Sequence, residues 1–169
     1  MDLSLIILTY NSEKDIYDCL KSVYQYNDIG EALEVIVVDN NSIGYDYMKN
    51  RIQASYPMIK IIQNTHNGGY GQGNNIGIKS ATAPIVAIMN PDVRLTMPTF
   101  RTMLNTFTNS NVIMCGGKQY INTGKEGTSF FCDYHSNPFY QSLIYSFYKR
   151  YDIYKSKTMW LSGAFFSFI

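Results

Sequence analysis

The run Ala83-Pro84-Ile85-Val86-Ala87-Ile88-Met89 is almost wholly apolar and then breaks off at Asn90-Pro91-Asp92. Strict alternation would mark a strand with one wet face. An unbroken apolar run reads instead as a strand buried on both faces. Such strands belong to parallel sheets covered by helices on either side, which narrows the chain to an α/β architecture. Val35-Ile36-Val37-Val38 followed by Asp39-Asn40-Asn41-Ser42 repeats the arrangement. Each acid stands where a buried strand passes into a loop, the edge at which open α/β sheets bind ligands. Two acids so placed point to a nucleotide and a divalent cation held over one sheet edge.

The remaining segments fit that frame. Leu3 to Leu8 is a first strand, and Thr9-Tyr10-Asn11-Ser12 is the polar turn behind it. Ser12 and Asp15 resemble a capping box, opening a helix whose apolar stripe is Ile16, Cys19, Leu20 and Val23. A turn near Asn27-Asp28-Ile29-Gly30 leads into a second strand at 34–38, and a short helix around 45–55 is stopped by Pro57. Met58 to Ile62 is a third strand, Asn64 to Gly69 a loop, 70–82 a helix with a glycine-rich start, and 84–89 the fourth strand. Strands and helices alternating this closely imply βαβ units with right-handed crossovers. Pro98 opens a further helix through Phe107, and Val112 to Cys115 forms another strand. Gly116 to Gly127 is a loop or hairpin. An aromatic helix spans 138–154, and Trp160 to Ile169 is a bare apolar strand. No repeat or linker divides the chain, so 1–169 reads as a single domain.

Composition excludes more than it assigns. A formal net charge of +1 with no basic stripe leaves no electrostatic footprint for nucleic acid. No apolar run reaches the roughly 18 residues that span a bilayer, and no leader pattern precedes the first strand. Three cysteines, Cys19, Cys115 and Cys132, without metal-ligand spacing read as reduced thiols in a cytosolic setting. The aromatic helix carries Lys149, Arg150, Lys155 and Lys157 near its end. Packing on the sheet is its expected role, and peripheral contact with the inner face of a membrane is the alternative.

The segment Asn67-Gly68-Gly69-Tyr70-Gly71-Gln72-Gly73-Asn74-Asn75-Ile76-Gly77 fails the dinucleotide fingerprint, because Ile76 stands where the third glycine belongs. It fails the phosphate-loop pattern too, since no Gly-Lys-Ser/Thr occurs. Two roles stay open for it. The loop can donate hydrogen bonds to a ribose or diphosphate at a helix start, or its glycines can let the helix pack tightly on the sheet. Asp92 is the candidate cation ligand, since Mg2+ or Mn2+ needs only one or two carboxylates when a diphosphate supplies further oxygens. Asn90 orients Asp92 or meets a ribose hydroxyl. Asp39 suits a base N–H or a ribose hydroxyl, against a plain turn role, and Tyr10 could stack on a base. His66 and His135 are isolated and read as surface or packed residues. Arg94 and Lys118 are the nearest cations for a phosphate, with a solvated surface role as their default.

In order, the chain presents Thr9-Tyr10-Asn11, Asp39-Asn40-Asn41-Ser42, Asn67-Gly68-Gly69 through Gly77, Asn90-Pro91-Asp92, and Ser162-Gly163-Ala164-Phe165. This series resembles a family 2 glycosyltransferase of the rhamnosyltransferase-like branch. The resemblance implies a GT-A fold, a Rossmann-like three-layer α/β/α sandwich with a mostly parallel central sheet. It places Asn90-Pro91-Asp92 at the family's Asp-x-Asp motif, with Asn for the first acid and the metal role on Asp92. It assigns the nucleoside to Thr9, Asn11, Asp39 and Asn41, the ribose or diphosphate to Asn67 and Asn75, and the donor-sugar side to Gly163 and Ala164.

The implied reaction is inverting transfer of a sugar from a UDP- or dTDP-type donor to a hydroxyl of a glycan or lipid-linked acceptor. Its biological setting would be bacterial surface polysaccharide synthesis. The family's base-bearing acidic element follows Gly-Ala-Phe, and Ile169 precedes it, so the expectation is a donor-binding part of a longer protein with no assigned catalytic base. Asp133 and Asp152 lack the context for that role. The competing reading is a non-catalytic nucleotide-sugar-binding module. A sugar nucleotidyltransferase is set aside, because the first strand lacks the Arg-containing glycine loop such enzymes need.

Overall fold

The computed structural model describes residues 1–121, 123–125, 127, 130–132, 142, 146, 147, 150, 159–161 and 163–169. Asp133, His135, Asp152, Ser162, most of the aromatic stretch 138–154, and Lys149, Lys155 and Lys157 lie outside the described residues. The chain divides into two compact units: Met1–Cys115 with Gly163–Ile169, and Gly116–Ser162.

The first unit is built on β1 (Leu3–Thr9), β2 (Leu33–Asp39), β3 (Lys60–Gln63), β4 (Ile85–Met89), β5 (Met114–Gly116) and β8 (Phe165–Phe168). The helices are α1 (Glu13–Gln25), α2 (Tyr45–Ser55), α3 (Gly69–Ser80) and α4 (Phe100–Thr106). Strand order is β3-β2-β1-β4-β8-β5. β1 lies parallel to both β2 and β4, pairing Ile7 with Val37 and with Met89. β8 runs antiparallel to β4, so the sheet is mostly parallel, as the unbroken apolar runs require.

The period-two geometry of a strand sends alternate residues to opposite faces. Leu3, Leu5 and Ile7, with Val35, Val37, Ala87 and Met89, bury against Ile16, Cys19, Leu20 and Val23 of α1, Met48 and Ile52 of α2, and Phe100 and Met103 of α4. Ile6, Ile36, Val38, Val86 and Ile88 face the other way, against Ile76 and Ile78 of α3 and against Phe166 and Phe168. Three layers result, and each fully buried aliphatic side chain contributes roughly 1.5–3 kcal/mol.

Helix α3 settles the glycine question in part. A Cβ on Gly73 would overlap Leu8, and one on Gly77 would overlap Ile6. Those two glycines, one turn apart, bring the helix backbone against the sheet. Gly71 meets nothing, and Gly69 adopts φ +81° where the loop turns into the helix.

Several expectations need correction. Ser12 is the N-cap of α1 but forms no capping box, because its hydroxyl donates to the Tyr10 carbonyl at 2.9 Å. β3 begins at Lys60, two residues later than expected, and Met58 is left exposed. α4 begins at Phe100 after Thr99, since Pro98 and its neighbours form the approach to the helix. β5 runs Met114–Gly116, where pairing with β8 decides its limits more than apolar character does.

In the second unit, β6 (Phe130–Cys132) and β7 (Met159–Leu161) pair antiparallel, Phe131 opposite Trp160. The segment 116–127, expected as a loop or hairpin, carries two backbone hydrogen bonds between its arms: Gly127 N–H donates to Gln119 O at 2.7 Å, and Ile121 N–H to Lys125 O at 2.9 Å.

Candidate functional site

The chain leaves β1 toward β2 and β3, then returns to place β4 on the opposite side of β1. Strand order reverses there, and in such sheets a crevice opens beyond the carboxyl ends of the two strands. A cleft of about 460 Å³ occupies that position. Leu8, Tyr10, Ser12 and Asp15 line it from β1 and the start of α1. Asn90, Pro91 and Asp92 line it from β4, with Asn40 from β2, and Asn67, Gly69 and Tyr70 from the loop into α3.

Four of the residues singled out from sequence, Tyr10, Asn67, Asn90 and Asp92, thus share one cavity. Asp92 is exposed, and no described hydrogen bond or ion pair engages its carboxylate. Asn90 anchors its turn: its N–H donates to Ala164 O at 2.8 Å, and its carbonyl accepts from Val93 N–H at 3.1 Å.

Asp39 and Thr9 lie at paired positions on β2 and β1, and both are buried. Asp39 Oδ2 accepts the Ser42 N–H at 2.8 Å. Its Oδ1 and the Thr9 Oγ1 have no partner, a costly state for buried oxygens. Asp39 is beside the cleft without lining it.

Asn11 and Asn41 have a backbone reason to be asparagine. Both adopt positive φ, 49° and 70°, where Asn is among the few tolerated residues. Asn11 Oδ1 accepts from Ile43 N–H at 3.1 Å, and Asn11 N–H donates to Ser42 Oγ at 2.8 Å. The two loops are thereby stitched together. Asn75 is exposed on α3 and does not line the cleft. Gly163 and Ala164 do not line it either, but both carbonyls are held by groups that do, Tyr70 and Asn90.

Sequence reasoning passed over Asn40, Tyr70 and Asp15. Asn40 is buried, donates from Nδ2 to Asn67 Oδ1 at 2.6 Å, and accepts at Oδ1 from Asn64 Nδ2 at 2.9 Å. This amide chain holds the 64–69 loop against the end of β2. Its signal was the Asn40-Asn41 pair, which sequence alone cannot apportion between site and turn. Tyr70, half exposed, has its hydroxyl pushed above the usual phenol range by desolvation, partly countered by a hydrogen bond involving Asn74. Asp15 reaches the cleft only because α1 starts at the β1/β4 crossing. Arg94 is not a free cation: it pairs with Asp15 at 3.4 Å and Asp18 at 3.9 Å. His66 is exposed and lies 3.4 Å from Gln72 Nε2.

The family model described as glycosyl transferase family 2 matches residues 4–168. The chain belongs to that family. Among curated proteins, this family 2 chain is 32% identical over 114 residues to the low-salt glycan biosynthesis hexosyltransferase Agl10 of Haloferax volcanii, a match covering 65% of the chain and 34% of that protein. Among solved structures it resembles mannosyltransferase PcManGT from Pyrobaculum calidifontis, in complex with GDP-Man and Mn2+ (TM-score 0.68, 21% identity, 98% of this chain, 44% of that one). It also resembles residues 1–349 of Staphylococcus aureus TarS in complex with UDP-GlcNAc (TM-score 0.64, 25% identity, 79% of this chain, 39% of that one). The chain thus spans about a third of the curated relative's length. The fold is GT-A: an α/β fold with a mostly parallel six-stranded sheet.

Proposed function

We propose that the chain is the donor-binding part of an inverting glycosyltransferase of the rhamnosyltransferase-like branch. It transfers a sugar from a nucleoside diphosphate to a glycan or lipid-linked acceptor in surface polysaccharide synthesis, at the cytoplasmic side of the membrane. In this reading residues 1–169 act as one nucleotide-sugar-binding domain. The observation that carries it is Asp92: an exposed, unengaged carboxylate on the wall of a cleft at the strand-order reversal.

The donor set fits a hard cation. Asp92 supplies an anionic oxygen, which suffices for Mg2+ or Mn2+ when a diphosphate completes the shell, and Asn90 orients Asp92 or meets a ribose hydroxyl. Once bound, such an ion neutralises charge on the departing diphosphate. Asp39, with its unpartnered buried oxygen, offers an acceptor to a base N–H or ribose hydroxyl, and Thr9 adds a hydroxyl at the paired position. The ring of Tyr10, 48% exposed, offers a stacking surface for a base. Asn11 and Asn41 shape the loops around the nucleoside, and Asn67 and Asn75 serve the ribose or diphosphate. Gly163 and Ala164 lie on the sugar side. Of the two acids on the cleft, Asp92 is given to the cation and Asp15 to Arg94, so the acceptor's base is assigned to neither.

Thermal-shift titration with UDP, dTDP and GDP, each with Mn2+ or with EDTA, tests the reading. We expect stabilisation by a pyrimidine nucleotide that needs Mn2+ and disappears in Asp92→Ala. Stabilisation that survives that substitution in full would remove the metal assignment.

A further inference from the structure

Arg94 lies two residues beyond Asp92, but its guanidinium turns back onto the loop it has just left. Nη1 donates to the carbonyls of both Pro91 and Val93, each at 2.9 Å, the two residues flanking Asp92. Nη2 reaches Asp15 Oδ1 on α1 at 3.4 Å, with Asp18 Oδ2 at 3.9 Å. From the same helix, Cys19 Sγ approaches the Asn90 carbonyl at 3.8 Å. Pro91 brings no N–H of its own to the turn. Arginine's planar fork can satisfy two carbonyls and a carboxylate together, whereas a lysine ammonium is a single point on a flexible stem.

From these contacts we infer that Arg94 is a positioning residue that splints the Asp92 turn to α1 and so sets the geometry of cation binding. The inference rests on the donor-binding reading above. With its donors aimed at the loop and at Asp15, Arg94 acts through Asp92 and not on the diphosphate. Electrostatics alone would predict the opposite sign for its removal. Deleting a positive charge beside Asp15 and Asp92 would make the cleft more attractive to a cation, whereas loss of the splint makes binding weaker.

The test is calorimetric titration of the wild-type chain, Arg94→Lys, Arg94→Gln and Asp15→Asn with UDP, dTDP or GDP, whichever binds the wild type most tightly. Each is run in Mn2+ and again in EDTA. We expect both Arg94 variants to lose about ten-fold in the Mn2+-dependent part of the affinity, with binding in EDTA unchanged. Asp15→Asn, an exposed substitution that spares Arg94 itself, should show a smaller loss of the same kind even if the Arg94 variants fold poorly. Arg94→Lys matching wild type, or Arg94→Gln binding more tightly in Mn2+, would overturn the splint and leave the donor-binding reading standing. Equal losses in Mn2+ and EDTA would instead make Arg94 a direct diphosphate contact or a general stabiliser, and also overturn it. Absence of binding to any of the three nucleotides by the wild type would remove the donor-binding reading and this inference with it.

Discussion

The Tyr70 hydroxyl donates to the Gly163 carbonyl at 2.8 Å, joining the first turn of α3 to the turn before β8 across 93 residues of sequence. The next carbonyl along, that of Ala164, accepts the Asn90 N–H at 2.8 Å. The turn at Gly163 and Ala164 is therefore tied to two walls of the same cleft, one carrying Tyr70 and the other Asp92.

Tyr70→Phe should remove the first tie alone. The ring remains, so the expected cost is the net worth of one hydrogen bond, about 0.5–1.5 kcal/mol by urea denaturation. Hydrogen exchange at Ala164 and Phe165 should accelerate while exchange in β1 stays unchanged. Unaltered exchange at both positions would argue against the tie.

The close approach of α3 to the sheet gives a paired prediction. Gly77→Ala introduces a methyl into space held by Ile6, with Val38 Cγ2 at 3.2 Å, and should cost about 1–3 kcal/mol through overpacking. Gly71→Ala, in the same helix but facing open space, should be neutral or stabilising by up to about 1 kcal/mol. Similar urea midpoints for the two variants would contradict the packing described.

Glu34 carries a pH dependence. Desolvation pushes its carboxyl up, but hydrogen bonds from the Ser4 hydroxyl and from the Thr82 N–H and hydroxyl, with Lys60 nearby, bring it below the ordinary value of 4.5. A carboxyl lowered in the folded state stabilises fully above its unfolded value and loses that contribution as pH falls through the folded one. Glu34→Gln should therefore flatten the decline of stability below about pH 4.5. A variant whose acid limb overlays that of the wild type would show the carboxylate contributes nothing there.

Cys19 is fully buried, and burial pushes its thiol up to about 12. Reactivity requires an accessible thiolate. Alkylation of Cys19 by iodoacetamide at pH 8, followed by peptide mass spectrometry, should proceed only as fast as the chain opens globally, and should track urea concentration. Rapid labelling of the native protein would mean that α1 detaches locally from the sheet.

Much of this protein is decided by local sequence. Apolar runs at Leu5–Leu8 in β1, Val35–Val38 in β2 and Ile85–Met89 in β4 force strands covered on both faces, and the stripe of Ile16, Cys19, Leu20 and Val23 forces α1, because period and burial are properties of consecutive residues. The same logic set Asp92 at a strand's carboxyl end. What only the tertiary structure decided is which polar residues share the cleft. Asp15 joins Asp92 because α1 begins where the strand order reverses, and Asn40 rather than Asn41 lines the cleft because Asn40 is buried against Asn64 and Asn67 while Asn41 sits exposed in a left-handed turn. Arg94 changes from a solvated surface charge to a splint, because its partners, the Pro91 and Val93 carbonyls and the Asp15 and Asp18 carboxylates, come from a loop and a helix that sequence spacing does not bring together. Contacts between segments depend on register, helix placement and backbone hand, and none of these is encoded at a single position.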